Sequence, residues 1–411
     1  MSAGAEPSAG GEAVQVGRAT PAPRILFLTQ LYPPVFGGGA LFLANLRRSL
    51  ARRGWPTRVI AGNRGIEESA PQGIDRVSTP GGEKLPRLGA YAFALLAPAA
   101  LIARRRDYDI IHTLGNTHSV YTAVLTAKLL GKKIVIASIQ NRQDDPGGIL
   151  RERFGRAKNR LFSAADRFIC CNTLQVSAYR AAGYPAEKVR FILNGIETAR
   201  FFPCSSAAEK VALRRKLGLP ADGFVVVSVG AIIHRKGMDL LAQGWKRFRA
   251  GRGDGTLVLA GPHSSLDPGS GVDDAFVSKL KNDLAAGGVA PSVIFAGKVS
   301  NVSEYLRCAD AFALMSRGEG FPFALLEAMS SGLPFLMWDL PDYGGYSLTD
   351  GVQGCLIPPF EVERLAQRIA QLADDAAMRS AMGARGRALA LTLDLERCVE
   401  DHMRVYRELG P

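Results

Sequence analysis

Short apolar runs alternate with amphipathic stretches along most of the chain, a pattern typical of parallel α/β structure. In the first half, an apolar run predicts a strand over 24–30, and a loop rich in glycine and proline leads into a helix over 40–53. A second helix is predicted over 119–130. Further strands are predicted over 57–61, 110–113, 134–138, 167–172 and 189–193.

The same alternation starts again near residue 224. Strands are predicted over 224–230, 256–260, 293–296, 311–315, 334–338 and 354–357. Helices are predicted over 238–249, 362–373, 375–391 and 394–409. Open parallel sheets form a crevice at the carboxyl ends of their strands. The predicted fold class is therefore α/β, with two Rossmann-like domains whose parallel sheets face each other across a cleft.

Length and composition agree with a globular protein of two or three domains. The chain has 411 residues, of which 47% are hydrophobic and 22% charged, so disorder throughout is excluded. Six cysteines without C-x-x-C spacing argue against a disulfide scaffold and a zinc site, and they favour reduced thiols in a cytoplasmic protein. The first 22 residues contain no apolar segment and predict a disordered tail without a secretion signal.

Positive charge is concentrated in the N-terminal half. Residues 1–190 contain 27 Lys and Arg against 13 Asp and Glu, whereas the rest of the chain contains 24 and 25. Such asymmetry favours an anionic partner such as nucleic acid, phospholipid or a phosphate-bearing substrate, or it reflects a solvated surface. The sequence has no nucleic-acid-binding motif and no interleaving of basic and aromatic residues, which argues against nucleic acid.

The longest apolar run, 88–103, is too short to cross a bilayer. It has 16 residues and contains Pro98, whereas a spanning helix needs about 20 apolar residues. Basic residues flank the run: Lys84 and Arg87 precede it, and 104–106 are all arginine. Two interpretations stay open, a buried helix or peripheral contact with an anionic leaflet on the inner face of the membrane.

Two glycine-containing loops lie between a predicted strand and a helix. The first is 37–39, three glycines whose N–H groups can approach an anion at a helix N-terminus, although a plain turn also fits. The G-x-G-x-x-G spacing of NAD sites is absent, and Asn63 stands after the second strand, where NAD sites have an acidic residue. The loop is therefore not expected to bind NAD. The second loop places Arg235 and Lys236 before Gly237. Two interpretations stay open: the two cations bind a diphosphate, or the loop is simply basic and solvated.

The segment 316–329, SRGEGFPFALLEAM, contains two glutamates separated by seven residues. Glu319 precedes a predicted helix and Glu327 lies inside it, with Pro322 suited to the first turn. Such a pair could act as the acid and base of a hydrolase, or it could accept hydrogen bonds from sugar and ribose hydroxyls.

In their order and placement these motifs resemble the retaining glycosyltransferases of family 4, which have the GT-B fold. The resemblance covers about 24–409. The matching segments are FLTQLYPPVFGGGALFLANLRRSLARRGWPTRVI, YDIIHTLG, NGIETARFFP, the strand with HRKG, LVLAGP, VIFAGKV with YLRCADAFALMS, EGFPFALLEAMSSGLP and DGVQGCLIPP.

The resemblance implies a role for each matching residue. Glu319 would contact the donor sugar and Glu327 the ribose hydroxyls. Arg235 and Lys236 would hold the diphosphate. The remaining expected contacts are the loop Gly320, Phe321 and Pro322 on the sugar and phosphate, Lys298 and Val299 near the base, and Gly37, Gly38 and Gly39 near the phosphate and acceptor. The nucleotide sugar is a substrate, and no further cofactor is expected.

The leaving nucleoside diphosphate gains charge in the transition state, which Arg, Lys and helix N-termini stabilise. We expect no Asp-x-Asp carboxylate pair in the chain, and therefore no dependence on a divalent metal. In enzymes of this type the leaving phosphate itself accepts the acceptor proton.

Three positions bear on activity. Ala231 stands where the family often has arginine, and Gln140 stands where it often has histidine. His112 matches a frequent family histidine, although a structural role also fits. Because of the two departures, a catalytically silent protein that binds nucleotide sugars or glycans stays open, as does another reaction, such as epimerisation, on the same fold.

The domains expected from the resemblance are an acceptor-binding domain over 23–190 and a nucleotide-sugar-binding domain over 191–390. The segment 391–411 would pack back on the first domain. The function expected is transfer of a hexose-type sugar, with retention of configuration, to a glycan or lipid-linked acceptor in cell-envelope or exopolysaccharide synthesis.

Overall fold

The computed structural model describes residues 21–34, 37–63, 72–79, 86–140, 143–251, 254–267, 270–340 and 346–410. Within these residues, the N-terminal sheet has seven parallel strands in the order β3-β2-β1-β4-β5-β6-β7. The strands are β1 (Ile25–Thr29), β2 (Thr57–Asn63), β3 (Ile74–Ser78), β4 (Ile110–Leu114), β5 (Lys133–Ser138), β6 (Arg167–Cys170) and β7 (Val189–Phe191).

Helices cover both faces of this sheet. Successive side chains of a strand point to opposite faces, and in the central strands the side chains on both faces are mostly apolar and buried. Ile25 and Phe27 pack in a core with α1 (Gly38–Arg52) and the last helix of the chain, whereas Leu26 and Leu28 point to the opposite face. The helices on that opposite face are α2 (Pro86–Ala103), α3 (His118–Leu129), α4 (Pro146–Ile149), α5 (Gly155–Phe162) and α6 (Thr173–Ala181).

The C-terminal sheet has six parallel strands within the described ranges, in the order β10-β9-β8-β11-β12-β13. They are β8 (Val225–Val229), β9 (Thr256–Ala260), β10 (Val293–Gly297), β11 (Ala311–Leu314), β12 (Phe335–Trp338) and β13 (Gly354–Ile357). The accompanying helices are α7 (Ala207–Lys216), α8 (Met238–Gly251), α9 (Asp274–Ala286), α10 (Val302–Cys308), α11 (Phe323–Ser330), α12 (Val362–Asp374) and α13 (Ala376–Leu391).

The last helix, α14 (Leu395–Leu409), returns to the N-terminal sheet. Ile196 forms an isolated parallel bridge with the segment that begins α14: Leu395 N–H donates to Ile196 C=O at 2.8 Å, and Ile196 N–H donates to Leu393 C=O at 3.0 Å. On α14, Glu396 accepts a hydrogen bond from Arg53, the residue directly after α1, at 2.7 Å. The apolar side of α14, including Val399 and Tyr406, is buried in the core with α1.

The two parallel sheets confirm the predicted α/β class. The structure adds β3 and several helices that the apolar pattern did not predict. β3 was missed because it is only half-buried and carries charged residues. The apolar run 88–103 forms α2, with Pro98 inside the helix. Within the described ranges, no helix combines the length and apolarity needed to cross a membrane.

Candidate active site

The candidate residues of both halves meet at the carboxyl ends of the strands. The loop after β1 begins α1 at Gly38, where an added Cβ would lie 3.2 Å from the Phe323 ring of α11. A Cβ on Gly39 would lie 3.1 Å from Ile139, after β5. Gly320 approaches so closely that its Cβ would lie 2.0 Å from the Ile139 carbonyl oxygen. The glycines therefore permit close contact between loops of the two halves.

Glu319 is the centre of a cluster of charges. Its side chain is 7% exposed, and Oε1 lies 2.5 Å from Lys236 Nζ. Ser316 Oγ donates to the same oxygen at 2.6 Å, and Arg235 Nη1 lies 3.5 Å from Oε2. Burial by itself would raise the pKa of Glu319, but Lys236, Ser316 and Arg235 together hold it below its ordinary value. Glu319 is therefore ionised at neutral pH.

The loop that carries Arg235 and Lys236 is fixed in place by Gly237 and Arg317. Gly237 has φ 65°, and an added Cβ would lie 1.8 Å from the Met315 carbonyl oxygen, so only glycine fits. The Arg317 backbone N–H donates to Arg235 C=O at 2.8 Å, and its guanidinium contacts Asp239 at 2.7 and 2.9 Å. This bidentate pair joins the two loops of the site.

Sequence reasoning missed Arg317 and Asp239. Burial tends to raise the pKa of Asp239, but the Arg317 guanidinium keeps it below the ordinary value, so the pair is ionic. One feature of the sequence could have indicated this pair: the two residues have opposite charges and lie in the two loop segments of interest, SRGEG and RKGMD. Their pairing depends on the approach of β8 to β11, which the local sequence does not encode.

Glu327 lies in a cavity of about 810 Å³ that spans the two halves, a size that suits a small-molecule ligand. The cavity is also lined by Gly38, Asn45, Glu197 and Arg200. Burial raises the pKa of Glu327 to about 7, an effect opposed by Arg200 and reinforced by Glu197. Its carboxylate has no hydrogen-bond partner among the described residues, so it is available to a ligand.

The other candidate residues of the C-terminal half follow β11 and the edge strand β10. Phe321 is buried against Phe323, with ring centroids 4.8 Å apart. Pro322 precedes α11 as its N-cap, one position before the first turn predicted for it. Lys298 is exposed and Val299 half-buried, directly after the edge strand β10.

Gln140 is exposed at the end of β5, directly beside Gly320. A Cβ on Gly320 would lie 2.9 Å from the Gln140 Cα. The turn at Gln140 is held by Asp144, whose carboxylate accepts from the backbone N–H groups of Asn116, Ile139 and Gln140. Gln140 therefore lies next to the Glu319 loop.

The prediction for His112 is wrong. His112 lies on β4 and is completely buried, with Nδ1 2.6 Å from the Tyr406 hydroxyl of α14. Its ring stacks on His402, and burial followed by the charge of His402 lowers its pKa well below the ordinary value. Because α14 covers this position, His112 has no access to the cleft.

The expectation that the chain lacks an Asp-x-Asp pair is wrong, since one occurs at 107–109, but it lies away from the cleft. Asp109 precedes β4 and pairs with Arg24 at 2.6 Å, at the edge of the sheet opposite the candidate site. The described part of the chain contains no group of three or more His, Cys, Asp or Glu side chains arranged to hold a metal ion.

Two parallel sheets with facing carboxyl ends, and a charged cleft between them, define the class of protein with the GT-B fold. Solved structures support this class. The chain matches Anabaena HepE in complex with UDP and glucose at a TM-score of 0.73 and 21% identity, over 93% of this chain and 99% of that one. It matches WaaG, a glycosyltransferase involved in lipopolysaccharide biosynthesis, at 0.71 and 18%, over 93% and 99%.

Family models specify the class further. The model for glycosyl transferases group 1 matches residues 209–389, and the model for Glycosyltransferase Family 4 matches residues 36–200. The chain belongs to this group 1/family 4 of GT-B glycosyltransferases.

Curated relatives agree with this assignment. A lipopolysaccharide core biosynthesis mannosyltransferase of Rhizobium meliloti, LpsB, is 30% identical over 58% of this chain and 66% of its own length. A D-inositol 3-phosphate glycosyltransferase of Acidothermus cellulolyticus is 28% identical over 90% of this chain and 86% of its own length.

Proposed function

We propose that the protein transfers a hexose-type sugar from a nucleotide diphosphate sugar to a glycan or lipid-linked acceptor, with retention of configuration and without a metal. The setting proposed is cell-envelope or exopolysaccharide synthesis at the inner face of the membrane. The observation that carries the proposal is the ionic cluster of Lys236, Arg235 and Glu319, which lies across the cleft from the Gly38 loop.

The cluster provides what glycosyl transfer requires. The bond from the anomeric carbon to the donor phosphate breaks, and negative charge grows on the leaving diphosphate. Lys236 and Arg235 are already held near that position by Glu319 and Arg317, so little reorganisation is needed to stabilise the charge. The leaving phosphate takes the acceptor proton as the new glycosidic bond forms.

Substrate orientation follows from the carboxylates and Gln140. Glu319 is ionised and accepts hydrogen bonds from hydroxyls of the donor sugar. Glu327, at the wall of the cavity, accepts hydrogen bonds from the ribose hydroxyls. Gln140 donates or accepts a hydrogen bond beside the sugar but carries no proton at neutral pH. This division of roles explains why a nucleophilic side chain is not required in the proposal.

The family arginine absent at Ala231 has a substitute in the same loop. Ala231 is buried, whereas the Arg235 guanidinium extends to Gly318 C=O at 3.1 Å and toward Glu319. A positive charge therefore lies beside the sugar and phosphate region. The competing function, a silent nucleotide-sugar-binding protein, would keep this charge and lack turnover.

Thermal unfolding with UDP, GDP, ADP and their sugars tests the donor site first. A ligand at 100 times its Kd adds about 2.7 kcal/mol to the free energy of unfolding. We expect one nucleotide to raise the melting temperature, Glu327→Ala to abolish that rise, and Glu363→Ala on α12 to leave it unchanged. No rise with any nucleotide would contradict the donor site, and a rise without sugar transfer would favour the silent protein.

A further inference from the structure

The outer side of α2 is apolar and exposed. Its inner side packs in the core through Phe93, Ala97 and Leu101. No charged residue occurs over 88–103. A surface helix of a globular protein normally carries polar residues on its outer side, whereas a helix that is apolar all round is covered by something else. The exposed large apolar residues are Leu88, Tyr91, Leu95, Leu96 and Ile102.

Helix α3 extends this apolar surface. Leu125 and Leu129 lie one turn apart on α3 and are exposed, Leu129 to 86%. The rings of Tyr91 and His118 stack with centroids 4.3 Å apart, so the amino ends of α2 and α3 lie side by side. We call the seven exposed large apolar residues of α2 and α3 together the outer face. They are Leu88, Tyr91, Leu95, Leu96, Ile102, Leu125 and Leu129.

Basic side chains border the outer face. Arg105 and Arg106 follow α2, are exposed, and have no ion pair among the described residues. On α5, which packs beside α3, Arg156 and Arg160 are likewise exposed without an ion pair in the described part of the chain. The acidic side chains of this surface are already paired, Glu152 with Lys158 and Asp166 with Lys128. The border is therefore positively charged.

We propose that the outer face docks on an anionic lipid bilayer, with the apolar side chains entering the interface and the arginines contacting lipid phosphates. The proposal rests on the proposed function and deepens it, because it names the surface that faces a lipid-linked acceptor. A second copy fits less well, since a two-fold interface would pack the outer face on itself and bring two basic borders together. An anionic surface neutralises them.

The direction of α2 and α3 places the bilayer beside the cleft. Helix α3 begins directly after the carboxyl end of β4, at the same edge of the sheet as Gly38. Tyr91 and His118 therefore lie at the end of the outer face nearest to the cleft. Lipid headgroups that contact this end are positioned to enter the site from the side of the N-terminal half.

Flotation of the full-length protein with vesicles tests the proposal. We expect binding to phosphatidylcholine vesicles that contain phosphatidylglycerol, and little binding to phosphatidylcholine alone. Leu95 is 77% exposed, so Leu95→Glu should lower the partition coefficient about tenfold without unfolding the protein. The matched control is Leu266→Glu in the C-terminal half, where the leucine is 88% exposed, and it should bind like the wild type.

The basic border is tested by Arg105→Glu with Arg106→Glu, which should weaken binding to anionic vesicles and reduce its dependence on salt. Absence of wild-type binding, or equal losses in Leu95→Glu and Leu266→Glu, would overturn the proposal. A wild-type dimer in sedimentation that Leu95→Glu dissociates would assign the outer face to a second copy instead. Nucleotide stabilisation measured on the same variants separates the two proposals, because the donor site lies apart from the outer face.

Discussion

The two halves of the molecule share a parallel-sheet architecture but distribute their charges differently. In the C-terminal half, charge is nearly balanced, and the loops of the cleft pair it closely, Lys236 with Glu319 and Arg317 with Asp239. In the N-terminal half, the basic excess extends to the outer surface, where Arg105 and Arg106, just after α2, are exposed without acidic partners among the described residues. The same layering of helices on a sheet thus leaves one half with an organised interior site and the other with a charged exterior.

The comparison shows that the number of charged residues in a region does not determine what those residues do. Paired charges in a partly buried cleft fix loops and hold groups in a defined ionisation state. Unpaired charges on a surface act on large anionic partners and are screened by salt. Variants of the paired cluster should therefore change catalysis and folding, whereas variants of the outer face should change partitioning to a surface.

The largest effect is expected from Lys236→Ala. Loss of the ammonium leaves Glu319 without its nearest cation and removes a charge from the leaving-group side. We expect kcat/KM to fall about 10²–10³-fold, as when one preorganised donor to a developing charge is removed. Steady-state nucleotide release measures the fall, and Lys279→Ala on the exposed side of α9 is the control. A fall no greater than that of the control would contradict the role.

Next in size is Gly237→Ala compared with Gly131→Ala. Both glycines have φ near 65°, but a Cβ at 237 would meet the Met315 carbonyl at 1.8 Å, whereas a Cβ at 131 lies in open space. The backbone cost is common to both variants, so the difference reports the clash. We expect Gly237→Ala to lose about 2–3 kcal/mol more than Gly131→Ala in denaturant unfolding. Equal losses would show that the loop relaxes freely.

A smaller effect concerns pH and Glu327. The pKa of Glu327 is about 7 in the folded protein, above its ordinary value, so the folded state holds a proton that the unfolded state releases. Its contribution to stability is complete below the ordinary pKa and is lost as pH rises through 7. Relative to Glu327→Gln, the wild type should lose roughly 2 kcal/mol between pH 5 and 8. Parallel unfolding curves against pH would contradict the raised pKa.

The smallest effect expected is that of Arg317→Lys. Lysine keeps the charge but not the fork that contacts both oxygens of Asp239, so the loop with Arg235 and Lys236 is held less firmly. Donor KM should rise about tenfold, a loss of about 1.4 kcal/mol, with a smaller change in kcat. Arg247→Lys on α8, whose partner Glu363 is exposed, is the control. An unchanged KM would show that Arg317 does not position the loop.

The cleft loops were largely predictable, because each consists of contiguous residues at a strand end. The positions of Glu319, Lys236 and Gly320 follow from the loops after β8 and β11. The ion pair between Arg317 and Asp239 was not predictable, since it depends on how two segments 78 residues apart approach each other. His112 was predicted wrongly because its surroundings are set by α14, which begins more than 280 residues later.

By itself the sequence determined the alternation of strands and helices, the two parallel sheets and the residues of the cleft loops. These properties arise from local periodicity and turn chemistry, which each segment carries independently of its neighbours. Only the tertiary structure decided that His112 is buried beneath α14 and that one side of α2 stays exposed. It also decided that Glu327 faces a cavity and that its pKa is raised. Burial and pairing are properties of distant segments brought together, and an apolar helix shows which side is covered only once its neighbours have packed.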